Sequence, residues 1–185
     1  LTIVYELNNN IDCSNSINWN NGTGFDPIGD SGTYSTGGFT TSTYTISNLF
    51  INRSTEDYVG LFGYVDSVDL TGVYLINVNI TGNDNVGGLT GYYSGSNTIS
   101  NSYVTGKVVG ADSVGGLVGN QQGGLITQCY TTTDVNGSDY VGGLVGGANT
   151  GSGINHSYTT GNVNGSSTYT GGLVGDCHVA VANSY

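Results

Sequence analysis

The stretch Val114-Gly115-Gly116-Leu117-Val118-Gly119 returns along the chain at a nearly constant interval. Its other copies are Val59-Gly60-Leu61-Phe62-Gly63, Val86-Gly87-Gly88-Leu89-Thr90-Gly91, Val141-Gly142-Gly143-Leu144-Val145-Gly146 and Thr170-Gly171-Gly172-Leu173-Val174-Gly175. The central leucines Leu61, Leu89, Leu117, Leu144 and Leu173 lie 28, 28, 27 and 29 residues apart. A fixed period in the twenties is the sequence mark of a solenoid, in which each repeat buries its apolar face only by stacking on its neighbours.

A second repeat flanks the first. Segments 46–50, 70–74, 99–103, 126–130, 154–158 and 181–185 each open on an aliphatic residue and close on an aromatic, at intervals of 24, 29, 27, 28 and 27 residues. A third strand-like piece follows, as in Val104-Thr105-Gly106-Lys107-Val108-Val109. Each period therefore holds three short strand-like pieces separated by Gly, Asn, Asp and Ser, with no helical periodicity between them. The pattern predicts an all-β fold, a single-stranded parallel β-helix (β-solenoid) of about 28 residues and three short strands per turn. The crossover rule makes it right-handed. Equivalent side chains on turns about 4.8 Å apart would then stack as ladders, in a rod of about six turns and roughly 30 Å. One ladder is the leucine row. A second runs Ile46, Leu70, Ile99, Ile126, Ile154 and Val181, and a third, aromatic and internal, runs Phe50, Tyr74, Tyr103, Tyr130, Tyr158 and Tyr185. The paired glycines belong where the backbone needs positive φ or close approach.

Composition excludes several functions. The net charge is −11, with one lysine (Lys107) and one arginine (Arg53). Nucleic-acid binding needs cationic side chains to displace counterions, and an anionic membrane surface asks for the same. No apolar run approaches the roughly 18 residues of a membrane span, so no membrane insertion is expected. No secretion leader is visible, because Leu1 opens directly on a strand-like stretch. The 33 glycines lack the three-residue period of collagen. Cys13, Cys129 and Cys177 show no CxxC spacing. They read as small buried hydrophobes or, alternatively, as one disulfide plus a free thiol.

Residues 1–45 are the least regular. Ile3, Tyr5 and Leu7 alternate onto one strand face, and Trp19 and Pro27, each the sole residue of its type, fall in turn-rich sequence. This segment is expected to form irregular N-terminal coils that cap the solenoid, with the repeats occupying 46–185. The last repeat stops directly after its aromatic, Tyr185. A longer chain or end-to-end self-association is the expectation there, since an open solenoid end is a strand template.

The repeats resemble the GLUG motif (Gly-Leu-any-Gly) of bacterial and archaeal surface proteins. The likeness is carried over 59–185 by the five Gly-Leu-x-Gly cores and the recurring Ser-Tyr-x-Thr-Gly pattern. It implies an extracellular or cell-surface, adhesin-like β-solenoid. Some relatives adjoin immunoglobulin A–type metallopeptidases, but His-Glu-x-x-His is absent here, so that activity does not carry over.

The search for chemistry yields few candidates. His156 shares a repeat position with Asn48, Gly72, Asn101, Gln128 and Asn183, which reads as an internal polar ladder. His178 beside Cys177 supplies too few ligands for a metal. Asp57, Asp84, Asp112 and Asp139 each precede the repeated valine by two residues. They are expected to face solvent and accept backbone N–H bonds in turns, with a Ca²⁺ row as the alternative. No other cofactor is implied, and no Ser/His/acid grouping has a local signature. Asn21, Asn52, Asn79, Asn136, Asn155 and Asn164 begin Asn-x-Ser/Thr sequons, candidate N-glycosylation sites. Asn52, Asn79, Asn136 and Asn164 should line one edge of the rod. The leading expectation is a non-catalytic extracellular structural or adhesive module, a stalk or filament subunit. The alternative is a carbohydrate-binding or carbohydrate-processing β-helix, whose exposed aromatic stripe would be Tyr58, Tyr140 and Tyr169.

Overall fold

The computed structural model describes residues 4–41 and 43–185. It is the all-β solenoid of parallel sheets that the period predicts, with one strand per turn in each sheet and hydrogen bonds running to the turns before and after. Four sheets line the rod where three were expected. The first face holds Leu70–Thr71, Thr98–Ser100, Gly124–Thr127 and Ser152–Asn155, and the second holds Tyr74–Thr81, Tyr103–Val109 and Tyr130–Gly137. The glycine motif supplies both remaining faces. Val86–Gly87, Asp112–Gly115, Asp139–Gly142 and Thr170–Gly171 form the third. Phe62–Asp66, Thr90–Ser94, Val118–Gln121, Val145–Ala148 and Val174–Cys177 form the fourth, giving five turns. The motif folds at its middle, so one strand-like piece in the sequence becomes two strands around a corner.

The glycines act there by close approach, since none of those in the motif has positive φ. A Cβ on Gly119 would fall 2.5 Å from both the Gly91 carbonyl oxygen and the Val86 nitrogen. One on Gly115 would overlap the Val118 carbonyl oxygen. No side chain fits either place, and that requirement recurs once per turn.

Inside the corner, the leucine row holds. Leu61, Leu89, Leu117 and Leu144 are buried and Leu173 is half-buried against the same core. Leu89, Leu117 and Leu144 each donate a backbone N–H to the equivalent leucine of the next turn at 2.9 Å. Leu70, Ile99, Ile126 and Ile154 are buried in register, with Val181 more exposed at 40%. Ile46 does not join them: it pairs with Leu75 on the second face, and Phe39 takes the place opposite Leu70. The short interval of 24 residues was the trace of this shift.

The aromatic row is also displaced. Tyr74, Tyr103, Tyr130, Tyr158 and Tyr185 do stack, with ring centroids 4.8, 4.8, 5.1 and 5.4 Å apart, but on the outside of the second face. Phe50 pairs with Asn79 and stands outside the row. The cause is a left-handed residue at the corner between the first and second faces: Gly72, Asn101, Gln128, His156 and Asn183 have φ of 65°, 50°, 54°, 46° and 51°. That residue adds one position before the chain turns inward again. The next residues, Val73, Ser102, Cys129 and Ser157, are buried, and the tyrosines after them point out. His156 is therefore exposed, and the internal polar ladder is built one residue later. Ser102 Oγ accepts from the Val73 N–H at 3.0 Å, and Ser157 Oγ accepts from the Cys129 N–H at 3.1 Å.

The first 45 residues join the same sheets. Val4–Glu6 pairs with Gly38–Thr40, which pairs with Leu70–Thr71, while Ile11–Asp12 pairs with Thr45–Ser47. Leu7 is buried and Tyr5 exposed; Ile3 lies outside the described residues. Arg53 fastens this segment, donating to the Phe25 carbonyl at 3.1 Å and pairing with Asp26 at 3.2 Å and Glu56 at 2.9 Å.

Candidate functional surfaces

Two outer surfaces carry the side chains with chemistry. On the second face, alternate residues of each strand point outward, so Tyr130, Thr132, Asp134 and Asn136 stand in line across it. Register then generates columns along the rod. Phe50, Asn79, Lys107 and Asp134 form one, and Asn52, Thr81, Val109, Asn136 and Asn164 form another two residues on. Three of the sequon asparagines thus share one column, and Asn79 sits in the column beside it. Asn52, Asn79 and Asn164 are exposed, and Asn136 is half-buried, accepting at 3.2 Å from the Asn164 amide. Asn155 lies on the first face and accepts from Asn183 at 3.3 Å, while Asn21 is exposed in the N-terminal segment. Stacking of Tyr103 and Tyr130 in the tyrosine row hides ring faces and leaves edges and hydroxyls outward; burial, then the neighbouring phenols, raises both their pKa values.

The second surface is the seam where the start of each third-face strand packs against the fourth face of the next turn. Tyr58, Asn85, Ser113 and Tyr140 occupy one left-handed position per turn, with φ of 60°, 56°, 55° and 50°. Asp57, Asp84, Asp112 and Asp139 precede them. Asp57 Oδ1 accepts the Asp84 N–H and Asp84 Oδ1 accepts the Asp112 N–H, both at 3.2 Å, and Asp139 accepts from the Ser167 hydroxyl at 2.7 Å. The Asp57 and Asp84 carboxylates thus cap turns one step along the rod, and Asp139 reaches the next turn through a hydroxyl. Among the described residues no three His, Cys, Asp or Glu side chains gather as a metal site. Tyr64 and Tyr92 stack at 4.5 Å on the fourth face, and Tyr58 packs edge-on against Tyr92 at 5.7 Å. Burial, then Tyr64 alongside, pushes the Tyr92 phenol up to about 12. Tyr140 and Tyr169 stack at 4.9 Å. Of the stripe expected from sequence, Tyr140 and Tyr169 meet, and Tyr58 instead joins Tyr64 and Tyr92. Those two were missed because they follow the motif glycine by one residue in only two copies.

The three thiols are unpaired: Cys13 and Cys129 are buried, and Cys177 is exposed. Burial pushes the Cys129 thiol up to about 12, so it stays protonated as a core residue does. His178 contacts Asp176 at 3.1 Å in solvent.

No protein-family model matches the chain. A stretch of 98 residues, half of the chain, is 42% identical to Halomucin of Haloquadratum walsbyi, a far longer protein of which it covers 1%. A crystal structure of a candidate immunoglobulin A1 protease from Bacteroides ovatus matches the whole chain with a TM-score of 0.79 and 24% identity. The chain spans 59% of that protein, and the likeness establishes the solenoid fold alone.

Proposed function

We propose that this chain is a non-catalytic segment of an extracellular or cell-surface rod, with the GLUG-type repeat as its structural unit and N-linked glycans on the second face as its decoration. The observation that carries this reading is that the Asp57 and Asp84 carboxylates already accept backbone N–H groups of the next turn. The acids of this column come one per turn in a repeating ladder, as a structural role requires and a general acid–base pair does not. Identity to a relative named as a mucin supports a glycosylated surface setting. A stalk and a filament subunit differ in whether rods join end to end, which electron microscopy of the purified protein separates. Chelator is expected to leave the melting temperature unchanged, because backbone N–H groups already engage the Asp57 and Asp84 carboxylates. Immunoglobulin A1 incubated with the protein is expected to stay intact; specific cleavage would overturn the non-catalytic reading. An unchanged intact mass on deglycosylation of protein from its native host would remove the glycan part alone.

A further inference from the structure

The column at the start of the third-face strands and the fourth-face column packed against it lose bulk at the same height. A Cβ on Gly91, Gly119, Gly146 or Gly175 would meet the backbone of Tyr58, Asn85, Ser113 or Tyr140 respectively, so each left-handed residue lies against the fourth face of the next turn. The neighbours across this seam are therefore Tyr58 with Tyr92, Asn85 with Asn120, Ser113 with Gly147, and Tyr140 with Asp176, because Tyr92, Asn120, Gly147 and Asp176 follow those glycines and share one register. Ser113 and Gly147 carry the least side chain along this edge and leave a shallow notch with Gly147 buried at its floor, where a Cβ would have no atom nearer than Ser113 Oγ at 3.9 Å and Asn120 at 4.0 Å.

The walls of this notch are specific. On one side stands Tyr140, stacked on Tyr169 through one ring face; its opposite face looks along the rod toward Ser113 and has no aromatic partner among the described residues. Asp139 and Asp176 lie close enough to raise the Tyr140 pKa, after burial and Tyr169. On the other side, Asn120 Oδ1 accepts from the Gln122 and Asn149 amides at 2.8 and 3.2 Å, which fixes the side chain and aims its own amide N–H groups elsewhere. Beyond Asn120, its register neighbour Tyr92 is stacked on Tyr64. A free aromatic face suits the C–H surface of a pyranose, while amide donors and carboxylate acceptors suit its hydroxyls. Acidic saccharides are disfavoured: Arg53 is paired elsewhere and Lys107 is on the second face.

We propose that the notch over Ser113 and Gly147 binds a neutral oligosaccharide, one ring stacked on Tyr140 and the chain running along the rod toward Tyr92. This site is additional to the structural role and does not rest on it. Affinity electrophoresis of the full chain tests it, in gels cast with neutral polysaccharides (a galactomannan, a mixed-linkage β-glucan, a xyloglucan, an α-glucan), with hyaluronan and chitosan as charged comparisons. Retardation is expected in at least one neutral gel, weakened about tenfold by Tyr140→Ala and by Ser113→Tyr. Ser113→Tyr fills the notch with the residue that the same column already carries at φ of 60° and 50°, so the fold tolerates it. An unchanged melting temperature verifies this, and that variant decides should Tyr140→Ala unfold. No retardation in any neutral gel, retardation in charged gels alone, or unaltered affinity in Ser113→Tyr would each overturn the proposal.

Discussion

Asp84 stands between two like charges, with Asp57 on the turn before and Asp112 on the turn after. Burial raises its pKa above the ordinary 3.8, and both neighbours add to the rise against the lowering bond from the Asp112 N–H. A carboxyl whose pKa rises on folding binds its proton more tightly in the folded chain. Its contribution therefore weakens stability as pH climbs through the raised value, and recovers as pH falls toward 3.8. Asp84→Asn keeps an oxygen for the Asp112 N–H and removes the charge. It should raise the melting temperature at pH 7, and the gain over wild type should narrow as pH is lowered through that window. A variant that melts at or below wild type at pH 7 would show that the charge is not the cost. The backbone N–H bonds of Asp57 and Asp84 follow from Asp turn chemistry; the half-burial of Asp84 does not, because it is set by packing of the neighbouring turns. The His156 column was not legible either. Two-residue alternation holds only along extended backbone, and one left-handed residue shifts every later side chain to the other side. Asn and Gly reveal such a position, since both enter that region readily; Gln128 does not reveal it.

At the scale of the strand ladders, two stacks that look alike in sequence contribute differently. The tyrosine row is outside and, up to Tyr158, half-buried, and among the described residues no side-chain hydrogen bond holds the hydroxyls of Tyr103 and Tyr130. Tyr130→Phe should therefore change stability by less than about 0.5 kcal/mol. Tyr130→Ala removes two ring contacts, at 4.8 and 5.1 Å, and should cost about 1–2 kcal/mol in urea unfolding. The serine ladder is inside. Ser157→Ala leaves the buried Cys129 N–H without its 3.1 Å acceptor and should cost about 1–3 kcal/mol, although the side chain removed is far smaller. If Tyr130→Phe proves as costly as Ser157→Ala, the assignment of outer and inner ladders is reversed. The leucine and isoleucine rows were readable because burial on a 28-residue period is a strong constraint. The alignment of Ile46 with Leu70 failed where the interval fell to 24, since Thr45–Ser47 is a second-face strand with the same local pattern as the first-face strands, and Gly38–Thr40 holds the first-face place.

The whole molecule carries a net charge of −11 on a narrow rod whose turn-capping carboxylates repeat one turn apart. That spacing, about 4.8 Å, is well inside the screening length of roughly 10 Å at 0.1 M salt, so neighbouring turns repel one another through their own caps. Little opposes this. Arg53 is committed to Asp26 and Glu56, and Lys107 stands alone between Asn79 and Asp134 in its column. Unfolding would separate the charges, so repulsion acts against the folded rod and salt should relieve it. The melting temperature is expected to rise by several degrees as sodium chloride goes from about 10 mM to about 1 M, where the screening length falls to roughly 3 Å. Lys107→Glu places another acid beside Asp134 and should steepen that slope, lowering the melting temperature most at low salt. A general salt effect on apolar burial would raise both proteins equally. The difference between their slopes therefore isolates the electrostatic part, and parallel slopes would mean that charge repulsion does not limit the stability of the rod.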